Sequence, residues 1–351
     1  MMQAIRSSSS CAAVLAALVL HAAPAVAQTR TLAEIAAYQG PDRMARLIEG
    51  ARKEGTLSFY MSRVAEDSNP VIDAFRKKYG LDVQVWRGAN EAVLNRILAE
   101  RRAGRCGVDA ISTGGTAFEA MHRENLLQAV KSPNTAEIMP QAIPPHGEYV
   151  GVGVNILNAA YNTNLVKPDE LPKSYEDLTH PRWKGRLAIE ADDVDWFAGV
   201  VSSMGEEKGL KLFKEIAQRN GMSFRKGHTL LANLIAAGEV PFGLAVYRYK
   251  PEQLMAAGAP VRSLYLPPVV AFASSIAVAG CAPHPNAAVL MFEFMLREGQ
   301  AIYAERDLVP TNPTVKPLPA GLDVTLIDPA QMLDHRAKWV ELWEKTIVRP
   351  R

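Results

Sequence analysis

The residues best equipped for chemistry stand at the ends of short apolar runs. The stretch "FGLAVYRYKPEQL", residues 242 to 254, closes such a run with Tyr247, Arg248 and Tyr249. On extended chain Tyr247 and Tyr249 face one side and Arg248 the other, so the two phenols form an aromatic wall or a pair of hydroxyl donors. Arg248 is left to brace a carboxylate or to lie in solvent. "GHTLL" sets His228 and Thr229 at a strand-to-helix turn, where backbone N–H groups and a hydroxyl suit an anionic oxygen; His228 donates to a ligand or to a cap. "STGGT" offers Thr113, Gly114 and Gly115, glycines that let backbone amides approach a ligand closely, with Thr116 placed to cap the next helix. In "EADDVDWF" Asp195 and Trp196 combine a carboxylate with an indole face, which suits an amine, or else an aspartate cap with a core tryptophan. Ser62, Arg63 and Arg87 bring the opposite chemistry, since a guanidinium holds a carboxylate or phosphonate by paired hydrogen bonds. Taken together, these groups suit a small polar organic ligand with both acidic and basic groups.

The surrounding pattern alternates strand and helix signals. An entry helix places Met44, Leu47, Ile48 and Ala51 at helical spacing. "TLSFY" reads as a strand, and "SNPVIDAFRKKYG" as a helix with Asn69 at its N-cap, Pro70 in its first turn and Gly80 past its end. "DVQVW" and "GVDAIST" are further strands, each followed by a helix. Such succession requires a parallel sheet with helices on its faces, and its ligands sit beyond the carboxyl ends of the strands. "YVGVGVNILNAAYNT", residues 149 to 163, is a long β-rich run with no helix. Its Gly151-x-Gly153 lacks the third glycine of a dinucleotide loop, so a strand crossing between two lobes suits it better. A second strand and helix series follows to "PFGLAVY". "FASSIAVAG" reads as a second crossing strand, and "HPNAAVLMFEFMLREGQAIYAERD" as helical.

The N-terminus gives the expected compartment. Arg6, the short apolar "CAAVLAALVL" and the small residues of "APAVAQ" form a leader whose cleavage after Ala27 leaves Gln28 first. The apolar run is too short for a membrane anchor, so an exported, periplasmic protein is expected. The remaining 28–351 is longer than one core usually supports. A formal charge of +2, from 39 basic and 37 acidic residues, leaves no footprint for nucleic acid. Cys106 and Cys281 can pair in an oxidising compartment or stay two small buried thiols; spacing leaves both open.

The order of several stretches resembles the extracellular solute-binding proteins of bacterial ABC importers, in the branch of ferric-ion, thiamine, polyamine and aminoalkylphosphonate binders. The carrying residues are "AYNTNLV" (160–166), "SYEDLTHPRWKGRLAI" (174–189), "LIAAGEVPFGLAVY" (234–247), "HPNAAVLMFEFMLREGQ" (284–300) and "LVPTN" (308–312). The resemblance implies an α/β, two-lobe periplasmic-binding-protein fold of type II with a ligand cleft between lobes. One lobe is then 28–153 plus 275–351 and the other 154–274. It also implies a monomer that hands a small-molecule solute to a membrane ABC permease, with no cofactor and no catalytic step.

Two other readings stay open. Ferric binders of this branch hold the metal through adjacent tyrosines with an early histidine and a carboxylate. Here the pair is interrupted as Tyr-Arg-Tyr, "FYMSR" has no histidine and "STGGT" no carboxylate, although Asp195, His228, Tyr247 and Tyr249 could assemble a metal site on closure. An exported hydrolase would need a nucleophile elbow or a zinc motif. Neither Gly-x-Ser-x-Gly nor His-Glu-x-x-His occurs, and "CAPH" is half a metal motif at most.

Overall fold

The two long apolar runs become the central strands. The structure is a computed structural model describing Met1 and residues 30–350; apart from Met1, the leader expected at 1–27 lies outside the described residues. Its strands are β1 (Thr56–Met61), β2 (Asp82–Arg87), β3 (Ala110–Gly114), β4 (Leu127–Gln128), β5 (Tyr149–Asn162), β6 (Leu187–Glu190), β7 (Ser223–Arg225), β8 (Phe242–Tyr247), β9 (Val261–Leu264), β10 (Val269–Ala279) and β11 (Val324–Leu326). The main order is β2-β1-β3-β10-β5-β8-β6-β7. At one end β2, β1 and β3 are parallel, and at the other β8, β6 and β7 are parallel. Between them β10 and β5 run antiparallel to each other, β10 to β3 and β5 to β8. Thirteen of the fourteen β5 residues are buried, the unalternating pattern of a strand covered on both faces.

Two large apolar cores flank this centre. One gathers Leu57, Phe59, Phe75, Ile111, Phe118, Met291 and Phe294; the other gathers Leu157, Ile189, Phe197, Phe213 and Phe242. β5 contributes Tyr149, Val150 and Val152 to the first and Leu157 and Ala159 to the second, so one strand passes between both. β10 does the same, with Val270 in the second core and Ile276 to Ala279 in the first. The C-terminal segment departs from the expected division. Met332, Trp339, Trp343 and Ile347 pack into the second core, where both Trp339 and Trp343 meet the Phe197 ring edge-on. Burial of these four apolar side chains outweighs the position of the segment in sequence.

Other differences are local. The helix expected with Asn69 at its N-cap starts at Ala65 instead, after Val64 and with no side-chain cap, because Glu66 and Asp67 favour its positive end; Asn69 lies inside it and accepts from Arg87 at 2.6 Å. Cys106 and Cys281 form a disulfide, with their Cα atoms 6.0 Å apart. His284 of "CAPH" is taken by Asp109, whose Oδ2 lies 2.9 Å from His284 Nδ1. No helix among the described residues is long and apolar enough to cross a membrane.

Candidate functional site

The end of β8 is irregular where its tyrosines begin. Between the pairs Asn158 with Val246 and Ala160 with Gly243, β8 holds one residue more than β5, a bulge that re-aims the strand. Ala245 lies within it at φ 57°, a left-handed conformation that a residue with a Cβ rarely adopts. Its carbonyl lies 2.8 Å from His228 Nδ1. The His228 ring in turn stacks on Tyr247, with centroids 3.8 Å apart, and Phe272 of β10 meets Tyr247 edge-on at 5.8 Å. Tyr247 ends the strand and Tyr249 opens the helix Tyr249–Ala256, yet their rings stand side by side, 5.8 Å apart and 16° from parallel. Arg248 is half-buried and braces no carboxylate: it donates to the Tyr265 hydroxyl at 2.9 Å and to the Asp307 carbonyl at 3.2 Å.

Arg63 closes the other side. Its guanidinium lies 4.8 Å from the Tyr303 ring and 6.0 Å from the Tyr249 ring, and donates to Ser274 Oγ at 2.9 Å. A second bulge presents that serine, since β10 Ser274 and Ser275 pair with Gly153 and Gly151 and leave Val152 over. Gly153 keeps the space open, because a Cβ there would lie 3.2 Å from Ser274 Oγ. The Tyr303 hydroxyl is buried with no hydrogen-bond partner. "QAIYAERD" carried no signal beyond helical spacing, so Tyr303 escaped the sequence reading.

Two buried carboxylates flank the tyrosines. Asp193 caps the helix Val194–Met204 through Oδ1, which accepts from Trp196 N at 3.2 Å; Oδ2 is buried without a hydrogen bond, 3.9 Å from His228 Nε2. Asp67 is fully buried. Its Oδ1 accepts from Arg306 and Gln253 at 3.1 and 3.2 Å, and its Oδ2 has no partner. Glu190 is saturated by the amides of Asp192 and Gly227, the latter held by a glycine at φ 107°.

Burial governs the charges. It pushes Tyr247 well above the ordinary phenol range, helped by Asp193, and it pushes Tyr249 up to about 12. The Arg63 guanidinium opposes the rise at Tyr247, Tyr249 and Tyr303. Burial pushes the Asp193 carboxyl well above the ordinary carboxylate range and His228 below the ordinary imidazole one.

Of the residues singled out in the sequence, the structure thus gathers Arg63, His228, Tyr247 and Tyr249. The others have different partners. Trp196 is 1% exposed and packs among Tyr175 and Phe213, a core residue rather than a ligand face. Asp195 bonds to Arg336 at 2.8 Å and to Thr116 at 3.2 Å, so Thr116 serves Asp195 instead of capping its own helix. Thr113 Oγ1 and the Gly114 amide both donate to Asn90, while Gly115 packs on Pro329. Arg87 braces Ser68 and Asn69. The Ser62 amide extends β1 through a bond to the Ser112 carbonyl. Of Asp192, Asp193 and Asp195, which the sequence places together after the strand "GRLAIE", Asp193 is the carboxylate beside the tyrosines.

Residues 108–318 match the family described as bacterial extracellular solute-binding protein. The chain belongs to that family. As a solute-binding protein it is not an enzyme, and the hydrolase reading is withdrawn. It is 29% identical over 182 residues to the Fe(3+)-binding periplasmic protein of Serratia marcescens, which covers 51% of this chain and 53% of that relative, only about half its length. It is 25% identical over 292 residues to iron uptake protein A1 of Synechocystis sp., covering 77% and 78% of the two. Its fold matches the periplasmic binding protein AfuA from Actinobacillus pleuropneumoniae, solved with exogenous fructose-6-phosphate bound, at a TM-score of 0.74 and 21% identity over 84% of this chain and 99% of that one. The likeness establishes the mixed α/β periplasmic binding protein fold.

Proposed function

We propose that this solute-binding protein captures ferric ion through the phenolates of Tyr247 and Tyr249 and the carboxylate of Asp193, and delivers it to an ABC permease from the periplasm. The reading rests on one arrangement: two stacked phenols, Tyr249 buried and Tyr247 half-buried, beside a buried carboxylate oxygen with no hydrogen bond. Fe(III) favours hard anionic oxygens, and three of them match its charge. Two relatives carry iron in their names, which supports this reading over the small organic solute first expected. A cleaved leader at 1–27 and hinge closure of two lobes belong to the same proposal.

The missing early histidine weighed against iron in the sequence, and the fold offers another. His228 stacks on Tyr247 and is held neutral, the form that ligates metal. Arg63 lowers the cost of ionising the phenols. The test is a titration of mature, iron-free protein with ferric nitrilotriacetate, read by the visible charge-transfer band of an iron phenolate. One equivalent should saturate the band, and Tyr247→Phe or Tyr249→Phe should each weaken binding at least 100-fold. A band that never forms, while a small organic ligand survives native mass spectrometry, would return the site to the organic reading.

A further inference from the structure

Outside the tyrosine site, the fold brings two histidines face to face. Glu119 and His122 sit three residues apart on the helix Gly115–Arg123, which places them on one face; His146 and Glu148 sit two apart in the turn into β5. The His122 and His146 rings stack with centroids 3.7 Å apart and planes 7° from parallel. Glu148 Oε2 lies 2.8 Å from His122 Nδ1, and Glu119 Oε2 lies 3.6 Å from His146 Nε2. That last nitrogen is buried and has no hydrogen-bond partner. One ligand atom from each of His122, His146 and Glu148 lies within 4.8 Å of the other two.

We propose that Glu119, His122, His146 and Glu148 form a second cation site that takes a divalent transition ion of the zinc class. A gap of 3.6 Å is too long for a hydrogen bond. It is close to the spacing of about 3.4 Å that two N and O ligands, each about 2.1 Å from a tetrahedral zinc, must keep. Two carboxylates balance a dication, and two imidazoles complete four donors. Glu119 is already oriented: Arg123 Nε donates to its Oε1 at 3.1 Å and Arg123 is held by Asp334 at 2.6 Å, which leaves Oε2 for the ion.

Loading requires one movement. Imidazole lone pairs lie in the ring plane, and two parallel planes share no point, so one ring must turn. His146 is the ring that turns, because it rides on a turn before Gly147, at φ 64°, whereas His122 is fixed to a helix. Turning breaks the 3.2 Å bond that His146 Nδ1 accepts from the Glu148 amide. The ring proton then moves to Nδ1, and Nε2 is free for the ion.

The experiment uses tag-free mature protein stripped with chelator. It is titrated with zinc chloride by calorimetry and with cobalt(II) by visible absorption, in wild type, His146→Gln, His122→Gln, Glu119→Gln and the Tyr247→Phe/Tyr249→Phe double variant. One zinc per chain should bind, survive in the tyrosine variant and weaken at least 100-fold in each histidine variant, with cobalt showing the intense bands of four-coordination. Circular dichroism establishes that the histidine variants fold. Absence of saturable zinc binding, binding unchanged in folded His146→Gln and His122→Gln, or zinc lost together with the tyrosines would overturn the assignment. The iron titration is independent of these outcomes.

Discussion

Asp195→Ala tests whether the contacts around Asp195 hold the two cores together around a ligand. Asp195 and Arg336 lie on helices packed against the second core, while their partners Thr116 and Glu91 lie on helices of the first. If the cores move as lobes, the Thr116–Asp195 and Arg336–Glu91 bonds exist only when the lobes are closed, whereas the Asp195–Arg336 pair lies within the second core in either state. The Asp195–Arg336 pair at 2.8 Å is charge-assisted, but the two side chains are 26% and 33% exposed, and burial pushes the Asp195 carboxyl up despite Arg336. Screening therefore reduces it to about 1 kcal/mol. The Thr116 hydroxyl adds about 0.5 to 1 kcal/mol. Arg336–Glu91 adds little, since Glu91 is 74% exposed. The Asp195–Arg336 pair is lost from open and closed forms alike, so the loss in closure is about 0.5 to 1 kcal/mol and weakens apparent affinity by about 2- to 5-fold. The assay is the ferric nitrilotriacetate titration, with small-angle scattering of loaded and unloaded protein. The variant should bind more weakly and stay more extended when loaded, and its melting temperature should fall further in the loaded form than in the unloaded one, which loses only the pair within the second core. An affinity within twofold of wild type, or an equal loss of melting temperature in both forms, would make Asp195 an ordinary brace.

Iron loading should depend on pH through the tyrosines. Tyr247 and Tyr249 are both raised by burial and so carry protons in the unloaded protein at neutral pH. Binding as phenolates expels both, so affinity falls as pH falls, by up to about tenfold per proton per unit; proton release near two, measured in weakly buffered titrations, checks this, and release near zero would remove the phenolates from the site. The Cys106–Cys281 disulfide closes a loop across 175 residues of sequence. On the chain-entropy account its removal costs up to about 5 kcal/mol, so Cys106→Ser should lower the calorimetric melting temperature by several degrees while leaving the iron band unchanged.

The strand order at each end was legible because apolar runs and helix stops recur in the sequence, and "YVGVGVNILNAAYNT" showed its crossing role by lacking a helix. Short pieces were not. β4, β9 and β11 have two, four and three residues, too few for a period to register. The helix Tyr249–Ala256 hid behind the expectation of continued strand, since Pro251 falls in its first turn and reads as a breaker until the start is known. Trp196 was ambiguous for a different reason: an aspartate cap and a ligand carboxylate use the same residue type, and only packing on Tyr175 and Phe213 separates them.

What stayed hidden at the site is distance across the sequence. Arg63, Tyr303 and Asp67 come from segments far from Tyr247, and no local pattern ties them together; the bulge at Ala245 re-aims β8 where it pairs with β5, and the bulge at Val152 sets β5 against β10, whose Ser274 accepts from Arg63. This bears directly on the ligand. A fold shared at 21% identity with a protein solved with fructose-6-phosphate cannot choose between an ion and an organic anion, because both can lie where such lobes meet. The choice falls to the local balance of charge. Arg63 alone beside neutral phenols would favour an anion, whereas Asp193 Oδ2, buried and without a donor, repels an anion and gains from a cation. Asp193→Asn therefore separates the two more sharply than any tyrosine variant: it should abolish iron binding while leaving an anion held by Arg63 unaffected.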